Sequence, residues 1–339
     1  MKDRAVVLGS VLIGILLLSA ISEEKEYPIQ FPASWPAPIY DFSKNPLTEE
    51  GISLGRSLFY DPILSADSII SCANCHLSYT AFTHVDHALS HGIHDSIGTR
   101  NSMTLTNLAW SRSFMWDGAV NHLDMQAIAP ITQRAEMGED LDHVVKKLNR
   151  SEAYRSRFKE VFGNPEVRGE HLLKALSQFQ LTLISSNSKY DQMKRGGVDF
   201  TVQEQKGYAL FQTHCNSCHE EPLFTRRDFA NNGLSLDDNL QDFGRMKVTG
   251  RKEDSLLFKI PNLRNVEFSF PYMHDGRFKT LNQVLAHYTN GIQHGPTLSA
   301  ELQNRLELTS DQRIDIIAFL LCLTDRDFLF NPDHAFPRR

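Results

Sequence analysis

Apolar side chains recur every three to four residues along Leu141–Leu148, His171–Ile184 and Gln312–Leu323, the spacing of a helix with one buried face. Leu281–Tyr288 has the same character. Stretches alternating between apolar and polar residues, the mark of half-buried strands, are few. The pattern predicts a mostly α protein with long loops. One segment stands apart. Ala5–Ala20 is predominantly apolar, follows Lys2 and Arg4, and gives way to the polar run Ser22–Lys25. That is the shape of a secretory signal over residues 1–22, and it falls short of the roughly 20 apolar residues of a bilayer span. Retention as an uncleaved membrane anchor is the alternative. No Cys follows the run to carry a lipid.

The pattern also repeats. Leu47–Phe59 (LTEEGISLGRSLF) and Thr201–Phe211 (TVQEQKGYALF) both end in Gly-x-x-Leu-Phe, at Gly55–Phe59 and Gly207–Phe211. Thr201 and Glu204 have the spacing of a capping box, so a helix is expected to start there. Each copy leads into a cysteine-containing string: CANCH at Cys72–His76 and CNSCH at Cys215–His219. The first spacer is longer, and its extra residues fall in Asp61–Ser71, which opens with Asp-Pro and reads as a turn or loop. Lys189–Phe200, with Gly196-Gly197, reads as a linker. The repeat divides the chain into an N-terminal domain, residues 23–195, and a C-terminal domain, residues 196–339, both of ordinary size.

Cys-x-x-Cys-His is the pattern of c-type haem attachment. The two thiols add to the haem vinyl groups as thioethers, and the His supplies the proximal nitrogen to iron. A redox pair, half a zinc site or coincidence accounts poorly for two complete copies, each ending in His. Two covalent haems are expected, one on Cys72, Cys75 and His76, the other on Cys215, Cys218 and His219. The strings consume four of the 5 Cys in the chain. Cys322, within the apolar Ile314–Leu323, reads as a small buried hydrophobe, and no pair remains for a disulfide. A hydrophobic content of 41% and a charged content of 22% are those of a globular protein. A net charge of -6 argues against nucleic acid as a partner and leaves room for a basic redox protein. Attachment of c-type haem is extracytoplasmic in bacteria, so with the leader it predicts a periplasmic protein.

Further motifs lie between and beyond the haem strings. They are Gly98–Ser102 (GTRNS), Trp116-Asp117-Gly118, Gln126 with Pro130, Glu136-Met137, Lys259–Val266 (KIPNLRNV) and Pro271–Gly276 (PYMHDG). In this order the mature chain resembles the bacterial dihaem cytochrome c peroxidases and the related dihaem enzyme that matures the quinone of methylamine dehydrogenase. The resemblance implies two c-type cytochrome domains, each wrapped around one haem, the N-terminal haem peroxidatic and the C-terminal haem electron-transferring. It implies hydrogen peroxide bound on the face opposite His76, with Gln126 and Glu136 lining that face, and Trp116 between the haems. It also implies a small cytochrome c or cupredoxin as electron donor. The chemistry suits these residues. Heterolysis of O–O needs a proton moved from the inner to the outer oxygen, which a carboxylate can do; a neutral amide can orient peroxide without adding charge. The bland readings are a solvated surface acid for Glu136, a helix-face residue for Gln126 and a packed aromatic for Trp116. A calcium ion between the haems is also implied, on Asn101 and the backbone carbonyls of Ser269 and Pro271, oxygen donors that suit a hard cation. A homodimer is a further expectation.

Two positions depart from the typical peroxidase. Where its loop carries a His that ligates the resting peroxidatic iron, this chain has Ile93, which cannot ligate; His91 and His94 flank it, and a small slip would bring either to iron; His84 and His87 lie in the same loop. Where typical peroxidases have a Met as sixth ligand of the C-terminal haem, this chain has Tyr288, as does the quinone-maturing enzyme. Phenolate favours ferric iron and thioether ferrous iron. Met273 is close in sequence but lies in the PYMHDG loop. The expected function is a peroxidase. The alternatives are an enzyme that oxidatively modifies a protein substrate and a non-enzymatic dihaem electron carrier; a carrier needs two fully coordinated haems and makes no use of Glu136.

Overall fold

A computed structural model describes residues 26–304 and 306–337. The leader expected over residues 1–22 lies outside the described residues. The chain is mostly helical. Its N-terminal half carries α1 (Glu49–Tyr60), α2 (Cys72–Cys75), α3 (Leu123–Gln126), α4 (Ile128–Thr132), α5 (Leu141–Arg150), α6 (Glu152–Phe162) and α7 (Gly169–Leu181). Then come α8 (Lys189–Lys194), α9 (Val202–His214), α10 (Met246–Thr249), α11 (Leu281–Ala286), α12 (Ser310–Leu321) and α13 (Arg326–Leu329). The one sheet described is a two-residue antiparallel pair, β1 (Phe229–Ala230) with β2 (Phe258–Lys259). Among the described residues no helix is long and apolar enough to cross a membrane.

The sequence repeat is a packing device. Thr48 caps α1 by accepting from the Gly51 N–H, and the expected Thr201/Glu204 capping box starts α9. α1 packs on α7, and α9 on α12. At Gly55 an added Cβ would lie 1.9 Å from the Ala175 carbonyl oxygen; at Gly207 it would lie 1.9 Å from that of Asp315. Only glycine permits these approaches. The Phe that closes each motif then meets two others. Phe59 lies 5.3 Å from Phe179 and 5.8 Å from Phe82 between ring centres. Phe211 lies 5.0 Å from Phe319 and 5.6 Å from Phe224. All six are buried. Two cores result, one built on Leu54, Leu58, Leu172 and Leu176, the other on Leu281, Leu285, Ile316 and Leu320.

Three features refine the sequence reading. Lys189–Phe200 is not merely a linker. It contains α8, because Ser188 and Asp191 cap each other reciprocally, and Tyr190 and Phe200 belong to the second core. Only Gly196-Gly197 remains as a turn, with Gly196 at φ +75°. Second, Asp61–Ser71 contains a short 3-10 turn, Pro62–Leu64, rather than loop alone. Third, the end of the chain returns to the first core: Phe328 and Leu329 pack there, the Tyr60 hydroxyl donates to His334 O (2.7 Å), and Arg56 Nε donates to Ala335 O (2.8 Å). Cys322 is buried in the second core, its thiol donating to Ala318 O at 3.4 Å.

Candidate haem sites

The histidines of the two Cys-x-x-Cys-His strings are held alike. α2 holds Cys72 and Cys75 on one turn, started by the Ser71 N–H donating to Asn74 Oδ1 (2.8 Å). His76 follows, its ring Nδ1 2.6 Å from Phe82 O. In the second string His219 Nδ1 lies 3.2 Å from Phe224 O and 3.1 Å from Pro261 O. A carbonyl only accepts, so these contacts fix the proton on Nδ1 and leave the Nε2 lone pair for a metal. Burial pushes the His76 imidazole below its ordinary range and that of His219 down to about 4. Both rings are thereby held neutral, as iron ligation requires. Phe82 and Phe224 have φ of +58° and +52°, the left-handed conformation that turns each carbonyl to its histidine. Sequence reasoning did not single out this phenylalanine pair. The available signal was weak: a Phe six residues after His76 and five after His219.

The residues around the second string fit a c-type haem. A cavity of ≈ 260 Å³ is lined by Cys215, Cys218, His219 and Tyr288, with apolar walls that include Leu285 and Leu320. Tyr288 stands in a π-turn, His287–Gly291, that continues α11. Burial pushes its phenol up to about 12, against a hydrogen bond from Asn232. Met273 lines the same cavity, its sulfur accepting from Asn232 Nδ2 (3.3 Å). Trp116, Asn101, Ser269 and Pro271 line it as well. Eight of the expected C-terminal and inter-haem positions thus share one wall system.

Trp116 connects that cavity to the first string. Its Nε1–H donates to Asn101 O (2.8 Å), and Asn101 is followed by Ser102, beside Cys75, and Met103, whose backbone faces the His76 ring. Asn101 is buried and tied by its own N–H to His274 O (2.7 Å) and by Nδ2 to Ala88 O (3.0 Å).

On the first site, Glu136 lies close enough to Cys72 and Cys75 for its charge to raise both thiols. Burial pushes the Glu136 carboxyl itself up. The Ile93 N–H donates to Glu136 O (2.8 Å), and Ile93 is buried. Gly92 permits this: a Cβ there would be 2.2 Å from Ala135 O and 2.3 Å from Glu136 O. His94 is exposed. His91 lies tilted against His87 at 4.0 Å between ring centres, and His87 stacks on His84 at 5.0 Å. An isoleucine, not a histidine, therefore packs against the Glu136 segment. Gln126 ends α3, its Nε2 3.9 Å from the sulfur of Met115, the neighbour of Trp116.

Residues 49–199 match the family model of di-haem cytochrome c peroxidase, and residues 204–324 match that of cytochrome c. The chain is 35% identical to the methylamine utilization protein MauG of Methylorubrum extorquens, over 85% of this chain and 81% of that protein. It is 34% identical to the cytochrome c551 peroxidase of Nitrosomonas europaea, over 80% of this chain and 79% of that protein. Among solved structures, a MauG-like protein associated with microbial copper homeostasis superposes with a TM-score of 0.83 at 29% identity, covering 92% of this chain and all (100%) of that one. The diheme peroxidase BthA of Burkholderia thailandensis shares the fold, with a TM-score of 0.72 at 22% identity over 87% of this chain and 92% of that one. With two haem-attachment strings set in two cytochrome c-type domains, the chain belongs to the di-haem cytochrome c peroxidase family, which includes MauG.

Proposed function

We propose that the chain is a periplasmic peroxidase that reduces hydrogen peroxide to water with electrons from a small cytochrome c or cupredoxin. Residues 23–195 form the peroxidatic domain and residues 196–339 the domain that receives the electrons. The haem of the first domain supplies the iron at which the O–O bond is cleaved. Glu136 moves the proton. Its desolvated carboxyl holds a proton to higher pH than an ordinary glutamate, which suits a group that must take up and return one. Gln126 orients the peroxide through its amide. Trp116 conducts between the domains through its hydrogen bond to Asn101 and the short segment to Met103. Asn101, Ser269 and Pro271, on the wall of the shared cavity, supply oxygens for a calcium ion. Cys72, Cys75 and His76 would hold the first haem, and Cys215, Cys218 and His219 the second, with Tyr288 on the same cavity wall as a further donor to its iron.

The observation that carries this reading is Glu136 itself, desolvated beside the first haem string with a non-ligating Ile93 packed on its backbone. Glu136→Gln should slow peroxide turnover by roughly 10²–10⁴-fold with both haems still attached. Unchanged turnover would make Glu136 a bystander. A second reading, oxidative modification of a protein substrate, is favoured by Tyr288 on the cavity wall. Steady turnover of peroxide with a reduced cytochrome c separates the two, since a dedicated modifying enzyme would show little.

A further inference from the structure

Lys259 carries a charge for which the described residues provide no counter-charge. Its backbone N–H, on β2, donates to Trp116 O (2.7 Å). Its ammonium donates to Ser113 O (2.6 Å) and lies 5.5 Å from the centre of the Phe114 ring. None of the ion pairs among the described residues includes it, although Arg100, Lys147, Lys189 and Arg264 all find carboxylates. The surrounding protein desolvates the ammonium and pushes it down to about 8, so it is still charged at neutral pH. An ammonium has three donors, and Ser113 uses one. A cation removed from water is retained when it is paired.

The partner is named by the cavity that Lys259 lines, the one that holds Cys215, Cys218 and His219. A haem attached through its vinyl groups keeps two propionate carboxylates. Arg227 lines the same cavity and also forms no ion pair among the described residues, so two residues with unpaired cationic side chains line a site for two carboxylates. Lys259 is the one whose backbone N–H is bonded to Trp116 O. We propose that Lys259 is the counter-ion of a propionate of the C-terminal haem, fixing the propionate edge of that haem beside Trp116 and raising its reduction potential. The sign follows from charge: a fixed cation near iron stabilises the added electron of the ferrous state. The inference goes beyond the peroxidase reading and holds whether or not peroxide is the substrate.

The test is a spectropotentiometric titration of the holoprotein with both haems resolved. Lys259→Met should lower the midpoint potential of the C-terminal haem, and Lys259→Arg should return it towards the wild-type value. An unaltered C-terminal potential in Lys259→Met with both haems attached overturns the proposal, as does a shift confined to the N-terminal haem. Lys259→Gln keeps a donor for Ser113 O and removes only the charge, so it gives the same reading if the Met variant does not accumulate. Wild-type protein provides an independent check by redox-difference infrared spectroscopy. Exchange of the ammonium hydrogens for deuterium should move a propionate carboxylate band of the C-terminal haem; a band indifferent to that exchange refutes the pairing.

Discussion

Tyr288 sits where the regular turn of α11 gives way to a π-turn, a local widening that often accompanies functional sites. If its phenol oxygen ligates the second iron, Tyr288→Met replaces an anionic donor with a thioether. The midpoint potential of that haem should then rise, measured by redox titration, and Tyr288→Phe should change the visible spectrum by opening the site. Potentials and spectra identical to wild type would reduce Tyr288 to a packing residue. Glu136 makes a second prediction, in stability. Its carboxyl is raised by burial, so its favourable contribution is complete below the ordinary carboxylate pKa and is lost as pH rises through the folded-state value. Glu136→Gln should therefore gain stability on wild type between about pH 4 and pH 7, which denaturant melts at the two pH values would reveal. At this scale, residues with side-chain chemistry were singled out in the sequence, from Cys72 to Tyr288. Phe82 and Phe224 were not, because they act through backbone carbonyls turned by positive φ, and no side-chain letter encodes that at a non-glycine position.

Among the elements, the repeated glycines carry the clearest consequence. Gly55→Ala and Gly207→Ala each push a methyl into a backbone carbonyl of the facing helix, a clash that no side-chain rotation relieves. Each should cost about 1–3 kcal/mol, the range for overpacking, and equilibrium unfolding should show similar losses in the two halves. A loss at one glycine only would mean that the two helix crossings are not equivalent. The long helices α5, α7 and α12 follow the apolar spacing of three to four that announced them. α8 escaped that reading because it is short and is set by a cap and by an arginine distant in sequence. The repeat itself was visible, but its reason was not, since Ala175 and Asp315 lie more than a hundred residues from the glycines they approach.

Across the whole molecule, Arg264 joins what the sequence separates. Its guanidinium is fully buried, pairs with both Asp191 oxygens (2.7 and 2.8 Å), donates to Pro222 O, and lies 4.5 Å from the centre of the Trp35 ring. Arg264→Met would leave Asp191 buried and unpaired, a loss of about 3–5 kcal/mol that thermal unfolding of the holoprotein should register. Burial pushes the Asp191 carboxyl up, but Arg264 and Ser188 hold it below the usual carboxylate range. The stability it contributes is present above the unfolded-state pKa and lost as pH falls through the folded one. Acid unfolding of wild type should therefore include a step below about pH 4 that Arg264→Met lacks. Arg264 was visible within KIPNLRNV, but its partners in α8 and near Trp35 could not be read from that string.

The return of Phe328, Leu329 and His334 to the first core reverses the order in which the halves are finished. Residues 49–181 leave the ribosome first, yet their core is incomplete until Phe328 and Leu329 arrive. Phe82, whose carbonyl faces His76, packs on Phe328 and His334, so the early site is completed by residues made late. A chain stopped at Asp327 should keep the second core, which among the described residues uses nothing beyond Leu323, and lose the first. In such a truncation, limited proteolysis should cut between Glu49 and Leu181 while the 202–323 segment resists.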